Sequence, residues 1–418
     1  MKNNKILLFI KIRKEFILFS LLRVLIMILG LVTNIFIVRK LSVNDYGIFS
    51  VAFMLVGLVT TFGFSWSSSS ILYYGSKEKA RYGSINKTFW ARNIIIVFSI
   101  IIVTLIFIVF SKEINSYIGL DVSFLILIWL YVSVTEDYLS KYFLAINKQI
   151  LSVMLSVTAK IVYLILIFII QFDVRSLFLL NIISQATVIF YILKINKKDI
   201  GRFEFDRLWF KEILDFSLWQ LFGFSGIYLI NFGDTAVIKY FMTTEDVGIY
   251  NAAYKLFNAI VGFSFVISNY FASNISLYYE KKDYKKIKNF FYKERFIIFA
   301  ASIGAHIITI IFSKQIIVLL YGDRYIQASE IFYILMIGSI FSYLSVFYFL
   351  YYNINKKYKI LQILNIFQAI LNITLDIIFI NCFGIIGPAI ATTSSIIITS
   401  TYSIVYCEKR IKKDTLMS

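Results

Sequence analysis

Long apolar runs separated by short polar clusters recur along the whole 418-residue chain. Between Arg92 and Lys112 lie 19 residues without a charge, and none is charged from Ile377 to Cys407. At about 1.5 Å per helical residue, 19 residues cover the roughly 30 Å hydrocarbon core of a bilayer. Inside lipid each backbone polar group must be satisfied within its own segment or a closed barrel, so runs of this length predict helices. The pattern predicts twelve spans, near 16–38, 47–72, 93–111, 122–135, 149–170, 176–193, 213–232, 248–271, 296–313, 328–350, 360–380 and 385–407. The expected fold class is an all-α polytopic membrane protein. Lys2, Lys5, Lys11, Arg13 and Lys14 precede the first run, which is a full span long and has no small-residue cleavage site, so it reads as a retained helix.

Composition agrees: 59% of residues are hydrophobic, 16% are charged and there is a single proline, more apolar surface than a water-soluble domain can hide. With twelve spans, the two termini and the even-numbered loops share one side of the membrane and carry 32 Lys/Arg against 7 in the odd-numbered loops. By the positive-inside rule that side is cytoplasmic, which predicts a multi-pass inner-membrane protein with both termini in the cytoplasm. The net charge of +18 is thereby explained without nucleic acid. The run KKDYKKIK at 281–288 sits beside the membrane, where each basic residue gains about 1 kcal/mol from anionic phospholipids. Cys382 and Cys407 fall at opposite ends of the last span pair, too far apart for a disulfide. Neither a cofactor motif nor a metal-ligand cluster is present in the sequence.

One stretch is written twice. LSVNDYGIFSVAF at 41–53 and MTTEDVGIYNAAY at 242–254 align at an offset of 201, close to half the chain. Ser42 with Asp45, and Thr243 with Asp246, have the spacing of a helix-start capping box, so each copy reads as a turn opening span 2 or span 8. GFS, LYY and INK recur in the same order in both halves. A duplication of six spans returns the chain to the same face, so the halves are parallel lobes: 1–193, a polar cytoplasmic linker at 194–212, and 213–418.

The doubled turn, the following TFGFSWSSSSILYYGSK, GDTAVIKYFMTTEDVGIYNAAYKL in the second half, LYGDRYIQASEIFYIL and FGIIGPAIATTSS resemble the landmarks of bacterial polysaccharide-export proteins. These are the lipid-linked oligosaccharide flippases, O-antigen (Wzx) type, of the multidrug/oligosaccharidyl-lipid/polysaccharide exporter superfamily. The resemblance covers nearly the whole chain. It departs at Asn381–Cys382, where family members often have a proline, and in the first half, which has no counterpart of FGIIGPAIATT. The resemblance implies two lobes around a central cavity and transport of an undecaprenyl-diphosphate-linked oligosaccharide by ion-coupled alternating access, alongside other polysaccharide assembly membrane proteins.

Charges inside spans are the candidate site, because a charge at mid-membrane costs about 2.5–3.5 kcal/mol and normally faces a bundle interior or wet cavity. Lys160 lies mid-way along span 5, Lys255 about two turns from the outer end of span 8, and Arg23 about two turns from the inner end of span 1. All three are cationic, as a diphosphate requires; Arg23 alternatively snorkels to headgroups. Asp376 either neutralises one of the lysines or carries a coupling proton. Asp234 matches an acid found in the resembled family, and its place at the end of span 7 also suits a cap or lobe contact. His306, the single histidine, is either a packed imidazole or a proton-coupling group. The serines of SWSSSS at 65–70 either bond back to their own helix or line the entrance for a sugar. Two rival functions are a drug or cation antiporter, which would place acids along its cavity, and a membrane glycan polymerase or ligase, which would carry a long outer loop. The absence of a nucleotide-binding loop or paired-carboxylate cleft argues for a transporter rather than an enzyme.

Overall fold

A computed structural model describes residues 2–195, 202–355 and 357–416. Its helices are α1 (Lys2–Lys40), α2 (Val43–Val59), α3 (Ser68–Tyr82), α4 (Asn86–Val109), α5 (Ser111–Ile118), α6 (Ser123–Ala145), α7 (Gln149–Ile169) and α8 (Val174–Ile195). There follow α9 (Arg207–Phe241), α10 (Thr244–Glu280), α11 (Tyr284–Asn289), α12 (Arg295–Ile311), α13 (Ser313–Tyr321), α14 (Ala328–Ile354), α15 (Tyr358–Phe383) and α16 (Gly387–Leu416). Among the described residues, eleven stretches are long and apolar enough to cross a membrane. The last, Lys359–Lys413, runs for 55 residues and is itself a hairpin of α15 and α16 folded at Gly384–Ile386. Asn372 bonds Thr392 and, further from the turn, Thr399 bonds Gln368, so the two helices run antiparallel. With that hairpin opened out, twelve long apolar helices are present among the described residues.

The outward faces are apolar, the reverse of a water-soluble protein. On α4, Ile94, Val97, Phe98, Ile101, Leu105 and Ile108 are 40–66% exposed, while Ala91, Ile95, Val103 and Phe107 are buried. The helical period thus divides lipid-facing from core-facing residues within one all-apolar segment.

The second span differs from the expected continuous helix. Between α2 and α3 the chain makes a π-helical turn at Thr60–Phe64 and a 3-10 turn at Ser65–Ser67. Arg92 of α4, counted above among the loop basics, is 2% exposed and holds this break: it donates to the Phe64 carbonyl at 2.9 Å and to Ser67 Oγ. Three short helices, α5, α11 and α13, were also not expected. α5 follows α4 directly and α13 follows α12, 202 residues apart at their first residues, so the repeated order extends to elements too short to span.

The chain divides into two compact units, Met1–Asn34 with Ala52–Ser225, and Ile35–Val51 with Gly226–Ser418. The division falls inside α1, α2 and α9, and not in the linker expected at 194–212. Residues 196–201 of that linker lie outside the described residues. The rest is fastened to the first unit: Trp90 Nε1 donates to the Arg202 carbonyl at 2.9 Å, Lys87 pairs with Asp206 at 3.0 Å, and Trp209 Nε1 donates to Thr88 Oγ1 at 2.9 Å.

The doubled stretch acquires its meaning in the second unit. Thr243 and Asp246 form the full capping box at the start of α10, and Asp45 donates its backbone N–H to Ser42 Oγ at 3.0 Å at the start of α2. The two starts then cross: a Cβ on Gly47 would fall 1.9 Å from the Thr244 carbonyl oxygen, and one on Gly248 would fall 2.3 Å from the Val43 carbonyl oxygen. The chain says the same thing twice because each copy is the other's partner, and backbones this close admit only glycine. Arg39 adds a clamp, donating to the carbonyls of Leu319 and Leu320, while Arg324 donates back to the Arg39 carbonyl at 3.0 Å.

Candidate functional site

Two clusters of charged groups, one in each unit, involve the candidate residues. In the first unit, α6 runs from Ser123 to Ala145, well past the span end expected at 135, and so brings Glu136, Asp137 and Lys141 into the bundle. Asp137 accepts from Ser68 Oγ at 3.0 Å and from Lys141 Nζ at 2.8 Å. Ser67 and Ser70 bond back to the carbonyls of Phe64 and Ser67. Of the SWSSSS hydroxyls, therefore, two serve their own helix and Ser68 joins an ionic network.

Lys160 of α7 is half-buried, and among the described residues no group hydrogen-bonds or ion-pairs its ammonium. Its Nζ reaches the backbone of α1, where a Cβ on Gly30 would stand 3.9 Å away. Glu136 lies within electrostatic range but beyond direct ion-pair contact, its carboxylate held by Ser156 Oγ at 2.6 Å. Ser156 and Lys160 are one turn apart and share a face of α7. Arg23 sits seven residues before Gly30 on the same face of α1, about 10 Å along the helix. It is exposed and its guanidinium stacks on Phe19 at 5.0 Å.

The second unit holds an acid pair. Asp234 of α9 and Asp376 of α15 are 3% and 0% exposed, and their carboxyl groups lie close enough to act on one another. Asp234 Oδ2 also accepts from Tyr250 and, at 2.7 Å, from Thr392 Oγ1. The group beside Asp376 is thus a second carboxyl, and Asp234, at the end of its expected span, lies buried at the centre of the cluster. The side-chain amide of Asn372 bridges the pair. One of its ends lies 3.0 Å from Asp234 Oδ1 and the other 3.3 Å from Asp376 Oδ1. An amide offers one donor end and one acceptor end, so whichever way it is turned, one carboxyl must present a proton to it or share a cation with it. Counted as acceptors only, the two acids leave Asp376 Oδ2 without a partner; a proton or small cation between them removes that deficit.

Lys255 of α10 is half-buried in the second unit. His306 is 3% exposed, bonds the Ser302 carbonyl through Nδ1 at 2.7 Å, packs edge-on against Tyr343 at 4.8 Å, and contacts neither acid. Among the described residues, no group of three or more His, Cys, Asp or Glu side chains forms a metal cluster. Glu136, Asn372 and Thr392 were missed in the sequence because each gains its role from a partner on another helix; Arg92 was missed because it stands at the edge of a charge-free run.

The architecture is that of an all-α, two-lobe transporter of the multidrug/oligosaccharidyl-lipid/polysaccharide exporter superfamily. The chain belongs to the polysaccharide biosynthesis protein family, whose model matches residues 12–273, and the model of the lipid II flippase MurJ matches residues 177–417. A curated relative, the probable low-salt glycan biosynthesis flippase Agl15 of Haloferax volcanii, is 24% identical over 194 residues, 44% of this chain and 39% of that protein. The match therefore spans well under half of the relative's length. Among solved structures, lipid II flippase MurJ in an inward closed conformation superposes with a TM-score of 0.77 at 20% identity, covering 96% of this chain and 90% of that one. An inward-facing multidrug resistance MATE family transporter gives 0.66 at 16% identity, covering 94% and 96%. A superfamily transporter from Pyrococcus furiosus, described as having a binding pocket of reverse polarity, gives 0.62 at 14% identity, covering 95% of each chain. At these identities the likeness shows the fold.

Proposed function

We propose that this protein is a flippase moving an undecaprenyl-diphosphate-linked oligosaccharide, of the O-antigen and lipopolysaccharide kind, from the cytoplasmic to the outer leaflet of a bacterial inner membrane. The carrying observation is the ammonium of Lys160: a partly buried cation inside a membrane span, with no described residue bonded to it. A buried uncommitted cation is stable only where water or an anion reaches it, and a diphosphate is the anion that a polysaccharide-assembly lipid brings. Arg23 in the first unit and Lys255 in the second are further positive charges inside spans. The family assignment supports a transporter and not an enzyme. The basic loops and tail face the cytoplasm and rest on anionic phospholipids, and other polysaccharide assembly proteins deliver and receive the lipid.

The acid pair supplies the coupling. Two carboxyls that share one proton or one monovalent cation change charge when it leaves, and a change of charge at a buried site biases a two-state carrier. His306, held by the Ser302 carbonyl and Tyr343, serves packing. The same buried acids would also suit a drug or cation antiporter, which is the second reading. Expression in a bacterium lacking its own O-antigen flippase tests both: restored surface glycan supports the first, whereas drug resistance without glycan supports the second.

A further inference from the structure

Lys160 stands near a carboxylate that it does not touch. Glu136 is fixed by Ser156 at 2.6 Å, and Ser156 rises one turn before Lys160 on α7. The other charge acting on Glu136 is the neighbouring Asp137, which is already engaged by Lys141 and Ser68. Glu136 is therefore placed to neutralise Lys160 at a distance while leaving its N–H donors open. A direct ion pair would hold the lysine too tightly for a substrate to take; no counter-charge at all would leave a bare ammonium in the membrane whenever the site is empty.

We infer that Glu136 is a positioning residue that neutralises Lys160 in the empty carrier and yields it to the substrate phosphate, so that it governs the return of the unloaded protein. This rests on the substrate reading above. A carrier exchanging substrate in both directions is always loaded when it turns over, whereas net movement requires the empty form to reorient. Loss of Glu136 therefore slows net movement and spares exchange.

The test uses full-length protein in liposomes, with a fluorescent polyprenyl-diphosphate-linked N-acetylglucosamine as probe. The probe is supplied on one leaflet for net movement and on both for exchange. Glu136→Gln should lower net movement about tenfold or more, the factor that corresponds to about 1.4 kcal/mol, with exchange within about twofold of wild type. Glu136→Asp should recover part of the loss. Ser156→Ala, which frees the carboxylate without removing it, should give a smaller loss of the same kind. The double change Glu136→Gln, Lys160→Gln leaves no charge to hide, so the ratio of net movement to exchange should return toward that of wild type even as the probe binds less well. Equal loss of both modes, or no loss in either, overturns the role of Glu136. If wild-type protein moves the probe in neither mode, the substrate reading falls and this inference with it.

Discussion

At the scale of single residues, the acid pair and the lysine make opposite demands on a mutation. If the acids share a proton as proposed, Asp376→Asn replaces it by an amide N–H that still donates to Asp234, so the cluster should keep its hydrogen bonds and the protein its abundance, within about 1 kcal/mol of wild type. What disappears is the exchangeable charge. Transport by the variant should fall at least about tenfold and lose its dependence on a proton or sodium gradient, which flux assays at imposed gradients measure. Lys160→Ala and Lys255→Ala remove a penalty for burying charge, so membrane insertion should be unimpaired while glycan export drops. Lys→Arg should keep part of the activity because charge survives and shape does not. Full surface glycan in the double alanine variant would exclude the cationic site. Lys160 was legible in the sequence because it interrupts an apolar run. Glu136 was not, since Glu136, Asp137 and Lys141 together read as the loop after a short fourth span. Nor was the pairing of Asp234 with Asp376, 142 residues apart, which only the packing of α9 against α15 creates.

At the scale of elements, the spans were legible from length and apolarity, because nothing else in a bilayer permits a run of about twenty uncharged residues. The short helices α5 and α13 were not, being only 8 and 9 residues long and too polar at their first turns to stand out. The break at 60–67 was also hidden, because its cause, Arg92, lies on another helix. The crossing of α2 and α10 makes the sharpest stability forecast. Gly248→Ala sets a methyl group 2.3 Å from the Val43 carbonyl oxygen, and Gly47→Ala sets one 1.9 Å from that of Thr244. Neither obstacle is a side-chain tip that could swing away. Each change should therefore destabilise the second unit by about 1–3 kcal/mol or more, read as lower thermal stability in detergent. Gly304→Ala, whose added Cβ meets nothing within 4 Å, serves as the control and should be neutral or better.

At the scale of the whole molecule, the duplication carries the argument from sequence to orientation. Six spans per copy would place the repeated turn, and hence Gly47 and Gly248, on one face, and their close backbone approach in the second unit agrees with that parity. The division of the chain was less legible: the polar stretch at 194–212 looks like a tether, yet its described part is bound to the first unit by Trp90, Lys87 and Trp209. Orientation relative to the cell follows from charge alone. With 32 basic residues against 7, one side of the protein is strongly favoured to stay in the cytoplasm. On this reading the loop around KKDYKKIK at 281–288 and both termini are expected on that side and the Gly47–Gly248 crossing on the other. Single cysteines at Lys285 and at Lys314, in a chain whose Cys382 and Cys407 are replaced by serine, separate the two faces. In intact cells an impermeant maleimide should label the cysteine at 314 and spare the one at 285, which should react only after the membrane is opened. Labelling of position 285 in intact cells would reverse the orientation and, because every span alternates, would remove the cytoplasmic entry on which the proposed direction of transport depends.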